Sequence, residues 1–388
     1  MELTGADITV IGAGIGGLAA ALSLDARGAR VTVLEQAEAI TEVGAGLQIS
    51  PNGFAVLRAL GLGDDLAALS VRGQAVVLRD YQRAGEVMRL DLTRLPPEQG
   101  YFFVHRADLI DLLAGAVRAR GIQIRLLQKV SAVMPGTPPQ LRCQTGAEKT
   151  AKLIIGADGL HSRLRVALNG DDAPFFTGQV AWRAVVPNDI GLAPEANVVM
   201  APGKHLVIYP LRGGAFLNIV AVQERAEWTA EGWFHRDDPD NLRAAFSDVR
   251  GLGADVLNRV EDVRLWGLFR HEVAARWHGP GVAILGDAAH PTLPFLAQGA
   301  NMALEDAWVL AAELGRGGAE ALQRYQDRRR PRTAKVIAAA NGNAWRYHLR
   351  SKPVRRAAHL ALGLAGRLAP GRMLGQFDWL YGVDVTRD

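Results

Sequence analysis

The chain has 388 residues, 49% of them apolar and 22% charged, and Lys+Arg exceed Asp+Glu by only four, 44 against 40. That length exceeds one ordinary core and predicts two lobes with an appendage, while the composition is that of a globular rather than a disordered or fibrous chain. The small basic excess is spread over many arginines, which argues against a nucleic-acid stripe, and the single cysteine, Cys143, excludes a disulfide framework, a Cys-based zinc site and a CxxC redox pair.

Glu2 and Asp7 stand where a signal peptide would carry positive charge, and no apolar run reaches the 18 residues of a membrane span. A cytoplasmic protein in a reducing compartment is therefore expected. In chain order, an apolar strand over 8–11 runs straight into Gly12-Ala13-Gly14-Ile15-Gly16-Gly17, a helix over 18–26 follows, and a second strand over 31–34 stops at Glu35. This is a complete βαβ dinucleotide pattern. Gly12 permits the tight turn, Gly14 lets backbone approach a pyrophosphate, Gly17 allows close helix–strand packing, and Glu35 is placed to accept from ribose hydroxyls. The acid disfavours a 2′-phosphate, so the adenosine belongs to FAD or NAD.

A Gly-rich loop over 42–52, with Gly44 and Gly46, leads into a helix from about Asn52 to Gly61, and such a loop lets backbone lie against a flat ligand. Residues 71–92 change to short β-type runs around Gly85, a hairpin of a second lobe. A helix begins at Arg106, where a cation does not help the helix itself and an anionic partner is expected. Strands over 123–129, 141–145 and 152–155 follow, the last running into Gly156-Ala157-Asp158-Gly159. Between 175 and 268 the strands are longer, with one helical segment over 241–249, which predicts an antiparallel sheet. The apolar run over 282–285 then turns through Gly286-Asp287-Ala288-Ala289-His290-Pro291, crosses a Pro/Gly-rich segment and enters a helix near Asn301. A helical tail closes the chain; its Ala/Leu segment over 357–368, flanked by basic residues, is too short to span a bilayer and is read as packing on the core or a second subunit, with an interfacial helix as the alternative.

The glycine fingerprint at 12–17, the Gly-Ala-Asp-Gly turn at 156–159 and Gly286-Asp287, in that order and at those distances, resemble the single-component flavoprotein aromatic hydroxylases, the class A family of p-hydroxybenzoate hydroxylase. The resemblance covers nearly the whole chain. It is closest to the salicylate hydroxylase and 3-hydroxybenzoate 6-hydroxylase branch, through the GDAAHP turn at 286–291, AQGAN at 297–301, the Glu305-Asp306 pair and the ending Phe377-Asp378-Trp379-Leu380-Tyr381-Gly382.

The resemblance implies an α/β fold: a Rossmann-like FAD-binding domain from 1–70, 97–173 and 277–340, an inserted antiparallel-sheet substrate domain from 71–96 and 174–276, and a C-terminal helical segment over 341–388. It implies that Gly12, Gly14, Gly17, Glu35 and Gly46 serve the bound FAD and that Arg106 reaches its flavin side. Asp158 would lie near the pyrophosphate and influence the nicotinamide donor, and Asp287 would meet the ribitol. Gly299, Ala300 and Asn301 would offer helix N-terminal amides to the flavin ring, where negative charge is favoured. Pro294 would wall the space where oxygen reacts.

On the substrate side His205 and Tyr209 stand four apart in a His-x-x-x-Tyr-Pro pattern, and strand positions four apart share a face. His suits removal of a phenolic proton near neutral pH, and Gln298 is the other pocket residue by its match to the branch. No arginine is evident beside His205 and Tyr209 to clamp a carboxylate. The implied reaction is hydroxylation of a phenol or hydroxy-aromatic acid by O2 through a flavin hydroperoxide, with NADH or NADPH as transient donor, no metal and no nucleic acid; a homodimer is compatible. Two rivals stand beside it: a flavin hydroxylase of a lipophilic quinone precursor or polyketide, touching membrane through its basic tail, and a non-catalytic FAD-binding protein. A flavin halogenase fits less well, because Trp182-Arg183-Ala184-Val185-Val186-Pro187 stands where its WxWxIP motif would be.

Overall fold

The computed structural model describes residues 2–40, 45–83, 85–227 and 236–387; Glu42, Val43 and Gly44 of the expected Gly-rich loop lie outside them. Six strands form the first sheet, in the order His278–Gly279, Val282–Ile284, Leu153–Gly156, Asp7–Ile11, Arg30–Leu34, Gln123–Arg125. All pair in parallel except the short edge strand His278–Gly279. The central strands are mostly apolar because helices cover both faces, with Asp7 and Arg30 only at the exposed strand starts. Val10, Val33, Ile154, Ile155 and Ile284 are almost wholly buried, and each such side chain contributes about 1.5–3 kcal/mol over an exposed one.

The first helix, Ile15–Asp25, starts three residues earlier than its apolar spacing predicts, with Gly14 as its N-cap. Its surface is largely Ala and Gly, and it is buried on nearly every side. Small side chains let it lie between the sheet and the long helix Gly299–Arg316: a Cβ on Gly16 would stand 2.8 Å from Leu285 and 3.3 Å from Ala303. The helix Arg106–Ala119 shows the expected stripe, with Leu109, Leu113 and Val117 buried.

The second large sheet has eight strands, in the order Arg236–Asp237, Val263–Arg270, Phe175–Pro187, Phe216–Glu224, Lys204–Leu211, Glu195–Ala201, Ala75–Asp80, Glu86–Asp91. It departs from the expected antiparallel sheet at one place. The hairpin Ala75–Asp80/Glu86–Asp91 joins by a parallel pairing of Ala75–Asp80 with Glu195–Ala201. The two strands come from separate excursions of the chain, so no tight turn forces them antiparallel.

The helix Ala321–Tyr347 runs through residue 341, so the division expected there falls inside one continuous helix. The following helix, Lys352–Leu368, packs Leu362 and Ala365 toward the hairpin and leaves Leu360, Leu364 and Leu368 exposed. Among the described residues no helix is long and apolar enough to cross a membrane, and no group of three or more His, Cys, Asp or Glu is placed to hold a metal ion.

Candidate active site

A cavity of about 840 Å³ connects the two sheets. Its walls carry Gly12, Gly14, Glu35, Gly46, Arg106, Asp158 and Asp287, then Pro294, Gln298, Gly299 and Ala300, and at the far end His205, Val207, Tyr209 and Arg183. Of the residues expected at the site, only Gly17 and Asn301 are not in that wall.

The nucleotide-type turn shows why its glycines are needed. Gly12 has φ +100, and a Cβ there would stand 2.4 Å from the carbonyl oxygen of Ala157. A Cβ on Gly17 would meet the Gly12 carbonyl at 1.9 Å, so Gly17 acts in helix–strand packing as its spacing predicts. At Gly14 nothing lies within 4 Å of a Cβ, which leaves backbone open to a ligand. The Glu35 carboxylate accepts from the amides of Ala13 (2.8 Å) and Ala37 (2.9 Å), which holds it at the strand end with lone pairs to spare.

Two carboxyls line the cavity, Asp158 half-buried and Asp287 exposed to its open space. Burial pushes Asp158 above the usual carboxylate range, partly offset by Ser162 and backbone amides. Its Oδ2 accepts from Arg163 N at 2.9 Å, while Oδ1 is buried without a hydrogen-bond partner among the described residues. Asp287 is likewise raised, by desolvation among the protein atoms that crowd it, against the pull of His290 and Arg106. A buried oxygen without a partner is costly unless a ligand supplies one. That oxygen, the glycine turn and the elongated cavity fit a dinucleotide-type cofactor.

The stretch Gly286–Arg316 is braced from behind. Asn301 is fully buried; its Oδ1 accepts from Ser50 N (3.0 Å) and its Nδ2 donates to the carbonyls of Gln48 (3.0 Å) and Ala297 (2.8 Å). Ala297 has φ +52, a left-handed conformation costing about 1–2 kcal/mol for an L residue, and the Asn301 bond helps hold it. The Gln298 amide is committed too: Nε2 donates to Ser50 Oγ (2.9 Å) and Oε1 accepts from Asn52 (3.1 Å). Gln298 thus stands in the cavity wall, as expected of a pocket residue, and also braces the loop at Ser50 and Asn52. Asn301 contributes at most its backbone amide, one of the first-turn N–H groups that a helix leaves unbonded.

At the sheet end, His205, Val207 and Tyr209 share the cavity face of Lys204–Leu211, as strand alternation predicts. His205 is buried; burial first, and its His348 neighbour second, hold its imidazole well below the ordinary histidine range. Tyr209 packs against Phe103, ring centroids 5.2 Å apart, and against Gly46, where a Cβ would stand 2.6 Å from its ring. Burial raises its phenol, while Arg183 and Gln48 pull it down. An arginine is thus beside this pair after all. Val207 pairs with Val220 and Val220 with Arg183, so Arg183 reaches the cavity two strands away, its guanidinium 5.2 Å from the Trp266 ring. No local pattern marked it, because its place beside Tyr209 depends on pairing across three strands.

Taken together, a nucleotide turn and a sheet-walled chamber sharing one cavity define an oxidoreductase that holds a dinucleotide cofactor against an enclosed substrate. The chain belongs to the FAD binding domain family, whose profile matches residues 5–340, and within it to the flavoprotein aromatic hydroxylases. It is 37% identical over 358 residues to 3-amino-4-hydroxybenzoate 2-monooxygenase of Streptomyces cremeus, covering 89% of each chain. It is 32% identical over 393 residues to 3-hydroxybenzoate 6-hydroxylase 1 of Aquipseudomonas alcaligenes, covering 98% of each. A solved salicylate hydroxylase substrate complex shares the fold, with a TM-score of 0.83 at 24% identity over 99% of this chain and 97% of that one.

Proposed function

We propose that FAD lies along Gly12, Gly14, Glu35, Asp158 and Asp287, and that a hydroxylated aromatic acid occupies the sheet end beside His205, Tyr209 and Arg183. The observation that carries this reading is the continuity of one cavity from the glycine turn to the His205–Tyr209 face. When bound, FAD supplies the electron transfer from NADH or NADPH, a transient visitor, and the activation of O2. The residues supply the rest. His205, neutral because it is buried, takes the phenolic proton and so enriches the ring in electrons. Tyr209, kept protonated by burial, donates a hydrogen bond to the oxyanion formed. Arg183 receives the ring carboxylate. Pro294 and Phe295 shield the chamber from water. The relatives named for acting on 3-amino-4-hydroxybenzoate and 3-hydroxybenzoate support a ring that carries both a hydroxyl and a carboxylate.

The test is oxidation of NADH and NADPH across a panel of phenols and pyridinols, with product analysis. Substrate-stimulated donor oxidation coupled to a hydroxylated product is expected. His205→Ala and Tyr209→Phe should lose at least a hundredfold in hydroxylation while keeping the bound-flavin spectrum. No stimulation by any carboxylated phenol, or loss of FAD in either variant, would overturn the assignment.

A further inference from the structure

His205 does not end the polar chain that begins at the cavity. Its Nδ1 lies 2.7 Å from Nε2 of His348, whose Nδ1 lies 2.9 Å from Oε1 of Glu224. Arg350 holds the other Glu224 oxygen. Both imidazoles are buried, whereas the side chains of Glu224 and Arg350 are 33% and 72% exposed. The row runs from the cavity wall to the surface. The Lys204–Leu211 strand, the Phe216–Glu224 strand and the end of the Ala321–Tyr347 helix each contribute to it. Gly203, at φ +66, makes room for its outer end: a Cβ there would stand 3.0 Å from the Arg350 guanidinium, and its amide donates to the His348 carbonyl at 3.1 Å.

The chemistry of the partners orders the protons. Ionised Glu224 only accepts, so Nδ1 of His348 carries a hydrogen. In neutral His348, Nε2 is then a lone pair, and Nδ1 of His205 must donate to it. Nε2 of neutral His205 is thereby left as the acceptor on the ring of a residue that lines the cavity.

We infer that His205, His348 and Glu224 form a proton path that carries the phenolic proton of the bound substrate out to solvent beside Arg350. The path rests on the reading of His205 as the base for the phenol. The phenolic O–H breaks and its proton goes to Nε2 of His205. The Nδ1 proton of His205 passes to Nε2 of His348, and the Nδ1 proton of His348 passes to Oε1 of Glu224, which releases it to water and regains its charge. The substrate keeps the negative charge, no redox partner is needed, and the same steps in reverse return a proton to the product oxyanion.

Among the described residues no other group competes for the proton along this row. Around His205 lie the Phe295 ring and Tyr347, 5.4 Å away by centroid and with its phenol pushed up to about 12 by burial. The neighbouring Lys204 ammonium turns to Asp248 (2.6 Å) and the Ala245 carbonyl. Met200 and Val222 flank His205 across the sheet, and Gln179 faces Glu224. Arg225, beside Glu224, bonds Gln223 and lies over Trp182.

The experiment uses the full FAD-loaded protein without reductant, mixed rapidly with 3-amino-4-hydroxybenzoate while phenolate absorbance is followed between pH 6 and 10. His348→Gln and Glu224→Gln should slow phenolate formation at least tenfold near neutral pH. Added imidazole should restore the rate, and the deficit should vanish once the phenol ionises by itself. A purely orienting role for His348 and Glu224 predicts weaker binding at every pH and no rescue, and that result overturns the path. Glu224→Gln, at the surface end, keeps the test valid should His348→Gln not fold. His205→Asn separates the two claims. Phenolate formation unaffected in His205→Asn defeats the base assignment itself, whereas its loss there with wild-type rates in both outer variants defeats the path alone.

Discussion

On the proposed function, Arg183 is the side chain that selects for a carboxylate in the chamber. A charge-assisted hydrogen bond from its guanidinium to a ring carboxylate is worth about 1.5–3 kcal/mol. Arg183→Gln should therefore raise KM for a carboxylated phenol about tenfold to a hundredfold, and hardly change it for the same phenol without the carboxylate. Steady-state kinetics on such a matched pair gives the answer, and equal effects on both compounds would remove Arg183 from recognition. The sequence revealed His205 and Tyr209 because alternation within one strand places them together. It hid Arg183 because the row joining Arg183 to Val207 through Val220 exists only once three strands pair. His348 gave no signal at all: its place depends on where a 27-residue helix ends against another sheet.

At the scale of elements, the segment that fixes the cavity floor is held by buried charge. Arg329 donates to Asp306 Oδ1 at 2.7 Å and to Glu305 Oε2, Arg332 binds Glu305 at 2.8 Å, and Asp306 also accepts from His290 and from the amide of Gly286 at 3.0 Å. One cluster thus joins the turn after Val282–Ile284 to two helices. Burial alone would raise the Asp306 carboxyl, but His290 and Arg329 hold it at about 2. With an unfolded value near 3.8, its stabilisation is complete above that pH and lost as pH falls toward 2. Asp306→Asn should cost about 3–5 kcal/mol, because it leaves Arg329 half-paired in the interior. Urea unfolding checks this, with the exposed pair Arg30–Asp7 as control, whose Asp7→Asn variant should barely move the midpoint. The Glu305-Asp306 motif was readable as a family likeness. Its partner Arg329 was only one arginine in a run of three, since nothing local tells which of them turns inward.

For the whole molecule, buried histidines set the response to acid. His205, His271 and His348 are all held below the ordinary histidine value, in each case first by burial. The unfolded chain takes up protons near pH 6.5 that the folded chain does not, so stability is full above that value and falls as pH drops below it. Urea midpoints at pH 7.5, 6.5 and 5.5 should show this fall, and it should be shallower in His205→Asn; identical slopes would exclude His205 as a contributor. The fold class was legible because strand and helix periods are local, while the parallel join between Ala75–Asp80 and Glu195–Ala201 is a property of no single segment. That join has a consequence for how the chain is made. The hairpin ending at Asp91 waits more than a hundred residues for its neighbour, and Leu153–Gly156 waits as long for Val282–Ile284. Each sheet therefore stays open-edged until most of the polypeptide has left the ribosome. Both must close late and nearly together, so the nascent chain carries unpaired strand edges through most of its synthesis.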